Sequence, residues 1–200
     1  MELILATQNL HKIREFREML KEVEGVDVLS LLNFPEYQLP EETEETFSKN
    51  AALKAEHAAK HLDKWVIADD SGLVVPSIEG RPGVYSARYA GDDATDVENR
   101  NKLLEEMENF DDLDRSAYFE CCLTLAGPDG IKKSVNGKCE GLIKTEEKGR
   151  NGFGYDPLFI KHDYDKTFAE LGEQTKNRIS HRRKAFDKLF PMIESIIATQ

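Results

Sequence analysis

The segment Trp65-Val66-Ile67-Ala68-Asp69-Asp70-Ser71-Gly72 constrains this chain more than any other. A short apolar run rich in β-branched residues reads as a buried strand. It ends abruptly in two adjacent carboxylates, a hydroxyl and a glycine. Ionised acids at the end of a buried strand cost desolvation free energy unless a cation meets them. A divalent metal, or a Lys or Arg from elsewhere, is therefore expected beside them. Consecutive residues of an extended chain point to opposite sides. One acid is thus expected to face a cleft and the other to brace a neighbouring loop. Asp, Ser and Gly together read as the end of the strand and a turn.

Strands and helices alternate through the first third of the chain. Leu3-Ile4-Leu5-Ala6 is a buried-strand run, broken by Thr7-Gln8-Asn9. Apolar residues then recur at Ile13, Phe16, Met19, Leu20 and Val23, the spacing of an amphipathic helix. Val26 to Leu32 reads as a second strand. Residues 33–45, rich in acids and proline, read as an exposed loop. A helix follows from Thr46 to about Leu62, with an alanine-rich inner face suited to close approach to a sheet. Thr95 caps a helix to about Glu108. Ser116 to Ala126 and Ile131 to Lys144 flank Gly127-Pro128-Asp129-Gly130, a long hairpin. Thr167 with Glu170 fits a capping box. A last helix runs from about Ser180 to the C-terminus, bent or interrupted at Pro191. Alternation followed by a hairpin predicts a mixed α/β fold with one extended sheet. One continuous unit, bilobal, is the simplest organisation over residues 1–200.

Composition removes several function classes. A net charge of −11 repels phosphate backbones, which argues against a nucleic-acid partner but permits a small phosphorylated ligand in a local basic pocket. No apolar run approaches the ~20 residues of a membrane span, so no membrane role is expected. The start Met1-Glu2-Leu3-Ile4-Leu5 shows no basic leader, which predicts a cytoplasmic protein. Cys121, Cys122 and Cys139 are odd in number and lack zinc spacing, so buried reduced thiols are expected. His57 and His61, four apart, read as ordinary helix-surface residues.

Four segments carry polar groups suited to one site. Thr7-Gln8-Asn9-Leu10-His11-Lys12 lies at a strand-to-helix junction, where N–H groups, a hydroxyl, an amide and an ammonium suit a phosphate. It is not a Walker motif, and Thr and Asn are equally ordinary cap residues. The acidic loop around Glu42 offers a carboxylate to the Asp69-Asp70 pair, or is only a charged approach to a helix. Asp69-Asp70-Ser71 is the third. The fourth joins Gly152-Phe153-Gly154-Tyr155-Asp156 with Lys176, Ser180, His181 and Arg182. Aromatic rings on glycine-rich backbone suit a planar base. Cations beside the expected helix start conflict mildly with the helix dipole, which favours a binding role.

The same residues fall into a longer pattern. Leu5-Ala6-Thr7, Asn9 and Lys12 are followed by Glu42-Thr43, Thr46-Phe47, Asn50-Ala51 and Lys54-Ala55. Ala68-Asp69-Asp70-Ser71-Gly72-Leu73 and Pro82-Gly83-Val84-Tyr85-Ser86-Ala87-Arg88-Tyr89 come next. Gly152-Phe153-Gly154-Tyr155-Asp156-Pro157, Phe159, Lys176-Asn177 and Ile179-Ser180-His181-Arg182 complete it. Over nearly its whole length the chain resembles the house-cleaning nucleoside-triphosphate pyrophosphatases of the Ham1 type, also called inosine triphosphate pyrophosphatases. One departure is Gln8, where such proteins often carry glycine; a left-handed backbone there would strain a glutamine.

The resemblance implies a long central mixed sheet, two α/β lobes flanking an active-site cleft, and a homodimer. It implies magnesium-dependent hydrolysis of dITP, ITP and XTP to a monophosphate and pyrophosphate. Asp70 would be the proton acceptor, and Glu42 and Asp70 the magnesium ligands. Thr7, Gln8, Asn9, Leu10, His11 and Lys12 would hold the triphosphate, and Ser71 would touch the substrate. Phe153 would stack on the base, with Gly154, Tyr155 and Asp156 beside it. Lys176, Ser180, His181 and Arg182 would donate to the base edge. Such donors favour the C6 oxygen of hypoxanthine or xanthine over the amine of adenine. A Maf-type pyrophosphatase, a silent nucleotide-binding protein and a metal-dependent phosphatase are the rival readings.

Overall fold

The computed structural model describes residues 1–21 and 23–199. Its sheet has six strands: β1 (Glu2–Leu5), β2 (Asp27–Ser30), β3 (Trp65–Val74), β4 (Ser116–Gly127), β5 (Gly130–Ile143) and β6 (Phe159–Lys161). The spatial order is β2-β1-β3-β4-β5-β6. β1 pairs in parallel with both β2 and β3, and β5 pairs antiparallel with β6, so the sheet is mixed as expected. The helices are α1 (Leu10–Leu20), α2 (Phe47–Leu62), α3 (Asp96–Glu106), α4 (Glu173–Ile179) and α5 (His181–Ile197).

The chain divides into two compact units. The first comprises Met1–Asp70, Cys121–Gly137 and Arg182–Gln200. Here the period-2 alternation of a strand sorts β1 between two cores. Leu3 and Leu5 pack with Phe16 and Leu20 of α1 and Phe186, Leu189 and Ile193 of α5. Ile4 and Ala6 pack with Ala55, Ala58 and Ala59 of α2. Burial on both faces explains why β1 is a continuous apolar run. The second unit comprises Ser71–Glu120 and Lys138–His181. Its core includes Leu73, Leu103, Phe119, Phe159 and Phe168. Phe119 meets Phe159 edge-on at 4.7 Å between ring centroids, a favoured aromatic geometry.

Several local expectations are corrected. β3 does not end at the acids: Asp69, Asp70, Ser71 and Gly72 all lie inside a strand that reaches Val74. Gly72 serves there as a close-approach residue, since a Cβ would meet Gly83 O at 2.6 Å. Thr167 and Glu170 do exchange both capping-box bonds, at 2.9 and 3.2 Å, but they close a turn and open no helix. Lys176 lies within α4 and His181 opens α5, so these cations do not share one helix start. Pro191 sits inside α5 without ending it. The first helix stops at Leu20, and the second strand gives way to a 3-10 turn at Leu31–Asn33. The parts of the expected helices that fall on Glu22 and Gln200 lie outside the described residues. Cys121, Cys122 and Cys139 are buried free thiols, as expected. Among the described residues no helix is long and apolar enough to cross a membrane.

Candidate functional site

In the first unit, the two strand acids meet different cations. The Asp69 side chain is 1% exposed and accepts from Arg182 Nε at 2.8 Å. It also pairs with Lys12 Nζ, and the Cys121 thiol donates to it at 3.1 Å. Arg182 pairs in turn with Glu15. Burial alone would raise the Asp69 pKa, but Arg182 and then Lys12 pull it well below the usual carboxylate range. Burial, then the Asp69 charge, pushes the Cys121 thiol well up, so it stays a protonated donor. Asp69 is thus a fixed anion.

Asp70 faces α2. Asn50 Nδ2 donates to Asp70 Oδ2 at 3.2 Å, and Lys54 Nζ lies 3.4 Å from Asp70 Oδ1. Lys54 also donates to Glu42 Oε1 at 2.5 Å and to the Asp69 main-chain oxygen at 2.8 Å. Burial raises the Asp70 pKa; Lys54 opposes this and Glu42 reinforces it. For Lys54 burial favours the neutral amine, yet Asp70 and Glu42 together lift its pKa. The ammonium is therefore retained, and the Asp70 carboxyl is a stronger base than an ordinary aspartate. Two hard oxygen donors, Glu42 Oε1 and Asp70 Oδ1, converge on one cation. Among the described residues no set of three His, Cys, Asp or Glu side chains converges. Magnesium needs only one or two carboxylates when phosphates supply the rest.

The segment Thr7–Lys12 is a capped helix start. Asn9 Oδ1 accepts from the main-chain N–H of His11 at 2.9 Å and of Lys12 at 3.2 Å, and Thr7 Oγ1 accepts from Asn9 N at 3.1 Å. Gln8, Asn9, Leu10 and His11 are exposed. Among the described residues, Asp63, Glu79 and Asp163 are the non-glycine positions with positive φ. Gln8 adopts no left-handed backbone, so the strain considered for it does not arise.

In the second unit, Asp156 organises the glycine-rich turn. Its Oδ2 accepts from Lys176 Nζ at 2.5 Å and from Phe153 N at 2.9 Å. Gly152 has φ +76°, and a Cβ there would collide with the Asp156 carboxylate. From α3, Asp96 Oδ2 accepts from Gly154 N at 2.7 Å, while Arg100 Nη1 donates to Gly154 O at 2.8 Å. Lys176 Nζ lies 4.7 Å from the Phe153 ring centroid. Phe153 and Gly154 are half-buried and Ser71 is partly exposed. Tyr155 is not a presented ring: it belongs to the core and donates its hydroxyl to Ser86 O at 3.0 Å. Packing beneath the turn outcompetes exposure for so large an apolar ring. Ser180 caps the end of α4, and the buried His181 ring stacks on Phe119 at 4.8 Å.

Lys54, Asn50, Glu15, Asp96 and Arg100 carry the structure of these sites; Asn50 and Lys54 stood in the longer sequence pattern without a role, and Glu15, Asp96 and Arg100 were not singled out. A signal existed for two of them. Asn50 and Lys54, four apart, interrupt an otherwise alanine-lined helix face. Buried polar groups on such a face need partners.

These features define a mixed-sheet α/β protein whose central strand carries one locked and one basic carboxylate. The chain belongs to the Ham1 family, whose model matches residues 3–192. It is 59% identical to a dITP/XTP pyrophosphatase of Protochlamydia amoebophila over 98% of this chain and 99% of that one. A dITP/XTP pyrophosphatase of Chlamydia abortus is 48% identical over 100% of this chain and 98% of its own length. The solved Ham1 protein of Coxiella burnetii superposes with a TM-score of 0.88 at 42% identity, covering 98% of this chain and 99% of that one. The Staphylococcus aureus Ham1 protein gives a TM-score of 0.85, also at 42% identity and the same coverage.

Proposed function

We propose that this protein hydrolyses the α–β phosphoanhydride of deaminated purine nucleoside triphosphates, dITP, XTP and ITP, with magnesium. The products are the nucleoside monophosphate and pyrophosphate. The observation that carries the reading is the convergence of Glu42 and Asp70 on Lys54. It occurs in a chain 59% identical to a protein named for dITP and XTP cleavage.

Glu42 and Asp70 would hold the magnesium, whose chemistry when bound is to neutralise phosphate charge and acidify water. Asp70 accepts the proton of the attacking water as the water oxygen bonds to phosphorus and the pyrophosphate oxygen departs. The bonds to Asn50 and Lys54 hold both of its oxygens in one orientation for that role. Lys54 stays protonated beside it and counters phosphate charge. The exposed helix start at Thr7–Lys12 offers the triphosphate donors and a cation. In the second unit, Phe153 offers a ring face to a purine.

Asp70→Asn tests the assignment. Pyrophosphate released from dITP in magnesium should fall by at least ~10²-fold, the lower bound for losing a positioned base. Near-normal turnover would overturn Asp70 as base. Orthophosphate as the sole product of the native protein would overturn the pyrophosphatase reading.

A further inference from the structure

We infer that Asn50 is a positioning residue that fixes Asp70 and the loop bearing Glu42 relative to one another; the inference rests on the roles just proposed for those two carboxylates. Asn50 is 0% exposed, on the inner face of α2. Its Oδ1 accepts from Glu44 N at 3.0 Å. Its Nδ2 donates to Glu44 O at 3.2 Å and to Asp70 Oδ2 at 3.2 Å. An amide nitrogen has two hydrogens, and both have acceptors here. Flipping the amide would set NH2 against the Glu44 N–H, and oxygen against both a carbonyl and a carboxylate. The side chain therefore has one acceptable orientation.

One helical turn later, Lys54 repeats the same bridge with a charge. It links Asp70 Oδ1 to Glu42 Oε1. Each Asp70 oxygen is thus tied to a different α2 residue, and each of those residues also holds the acidic loop. A turn further on, Tyr37 Oη and His57 Nδ1 lie 2.7 Å apart. The segment from Tyr37 to Glu44 therefore runs back along α2, meeting His57, Lys54 and Asn50 in succession. Glu41 to Glu44 have no regular secondary structure of their own. What sets Glu42 against Asp70 is this line of side chains. Lys54 supplies charge, and Asn50 supplies direction without adding charge to the site.

The test compares Asn50→Ala and Asn50→Asp with the native protein. It reads kcat and KM for dITP in magnesium, thermal melting, and hydrogen exchange at the Glu44 amide. In Asn50→Ala the Glu44 amide should exchange at least ~10-fold faster. Its kcat should fall about 10²-fold, as small misplacements do, with KM within about threefold. Asn50→Asp is nearly isosteric and keeps the acceptor for Glu44 N–H but sets a carboxylate against Asp70. It should keep Glu44 protected and still lose kcat, and it holds the test open if the alanine variant fails to fold. Native kcat per folded molecule in either variant, or unchanged Glu44 exchange in Asn50→Ala, would overturn the inference. A native protein that leaves dITP intact would instead sink the proposed activity, while the exchange measurement would still decide the anchoring.

Discussion

Asp69 and Asp70 are neighbours on one strand with opposite electrostatic fates. Arg182 and Lys12 oppose burial at Asp69 and win; at Asp70, burial and Glu42 outweigh Lys54. This asymmetry predicts unequal responses to neutral isosteres. Asp69→Asn leaves the Arg182 guanidinium, 1% exposed, with Glu15 as its remaining carboxylate of the pair that holds it, and strips Lys12 of its partner. Removing one member of a buried ion pair costs about 3–5 kcal/mol. Asp70→Asn takes one of two carboxylates from the buried Lys54 but also removes a charge that burial disfavours, so it should cost less than Asp69→Asn. Urea unfolding of the two variants measures the contrast, and coincident midpoints would contradict it. The sequence announced the two acids and their need for cations, because adjacency and an apolar run are local signals. Which acid is locked is decided by Arg182, more than a hundred positions away in the chain, and no local pattern encodes that pairing.

Elements with strong local codes were legible, and those resting on tertiary contact were not. Thr46 caps α2 by accepting from Lys49 N at 3.3 Å, and Thr95 with Glu98 forms the box that opens α3. Both starts are written in adjacent side chains. β6 has three residues and α4 seven, too few to show a periodicity. The extension of β3 past its acids was hidden for a different reason. Asp, Ser and Gly are turn formers by propensity, yet here the Leu73 N–H is met by Ser86 Oγ at 2.9 Å and the chain stays extended. Gly72 is the residue that permits this approach. Gly72→Ala would press a methyl against Gly83 O at 2.6 Å and against the Ser86 side chain, which itself bonds Gly83 O at 2.6 Å. Backbone cannot swing aside as a side-chain tip can, so the variant should lose about 1–3 kcal/mol, the cost of overpacking. A native melting temperature in Gly72→Ala would show that the 83–88 turn yields freely.

Across the whole molecule, the mixed sheet followed from strand–helix alternation and the hairpin, and the same pattern left the strand order open. Burial on that scale is also expected to lower stability at alkaline pH. Three tyrosines from the two units keep their phenolic protons beyond the ordinary range. Burial pushes Tyr37 up to about 12. Burial, then the hydrogen bond to Glu106, raises Tyr89, and burial followed by the neighbouring Tyr89 raises Tyr155. In the unfolded chain each would titrate near ~10. Below that pH both states hold the protons and stability is unaffected. Above it the unfolded chain releases protons that the folded one keeps, so the free energy of unfolding falls as pH rises. Each tyrosine contributes a slope of about 1.4 kcal/mol per pH unit until it titrates in the folded state. Together the three would approach roughly 4 kcal/mol per unit between pH ~10 and the titration of Tyr37 at about 12, a large part of a typical stability of ~5–15 kcal/mol. Urea unfolding at stepped alkaline pH, with tyrosinate absorbance followed alongside circular dichroism, should show phenolate appearing together with loss of structure. Tyr155→Phe should flatten the slope by one proton. Tyrosinate forming in full near pH ~10, with the fold intact, would contradict the argument.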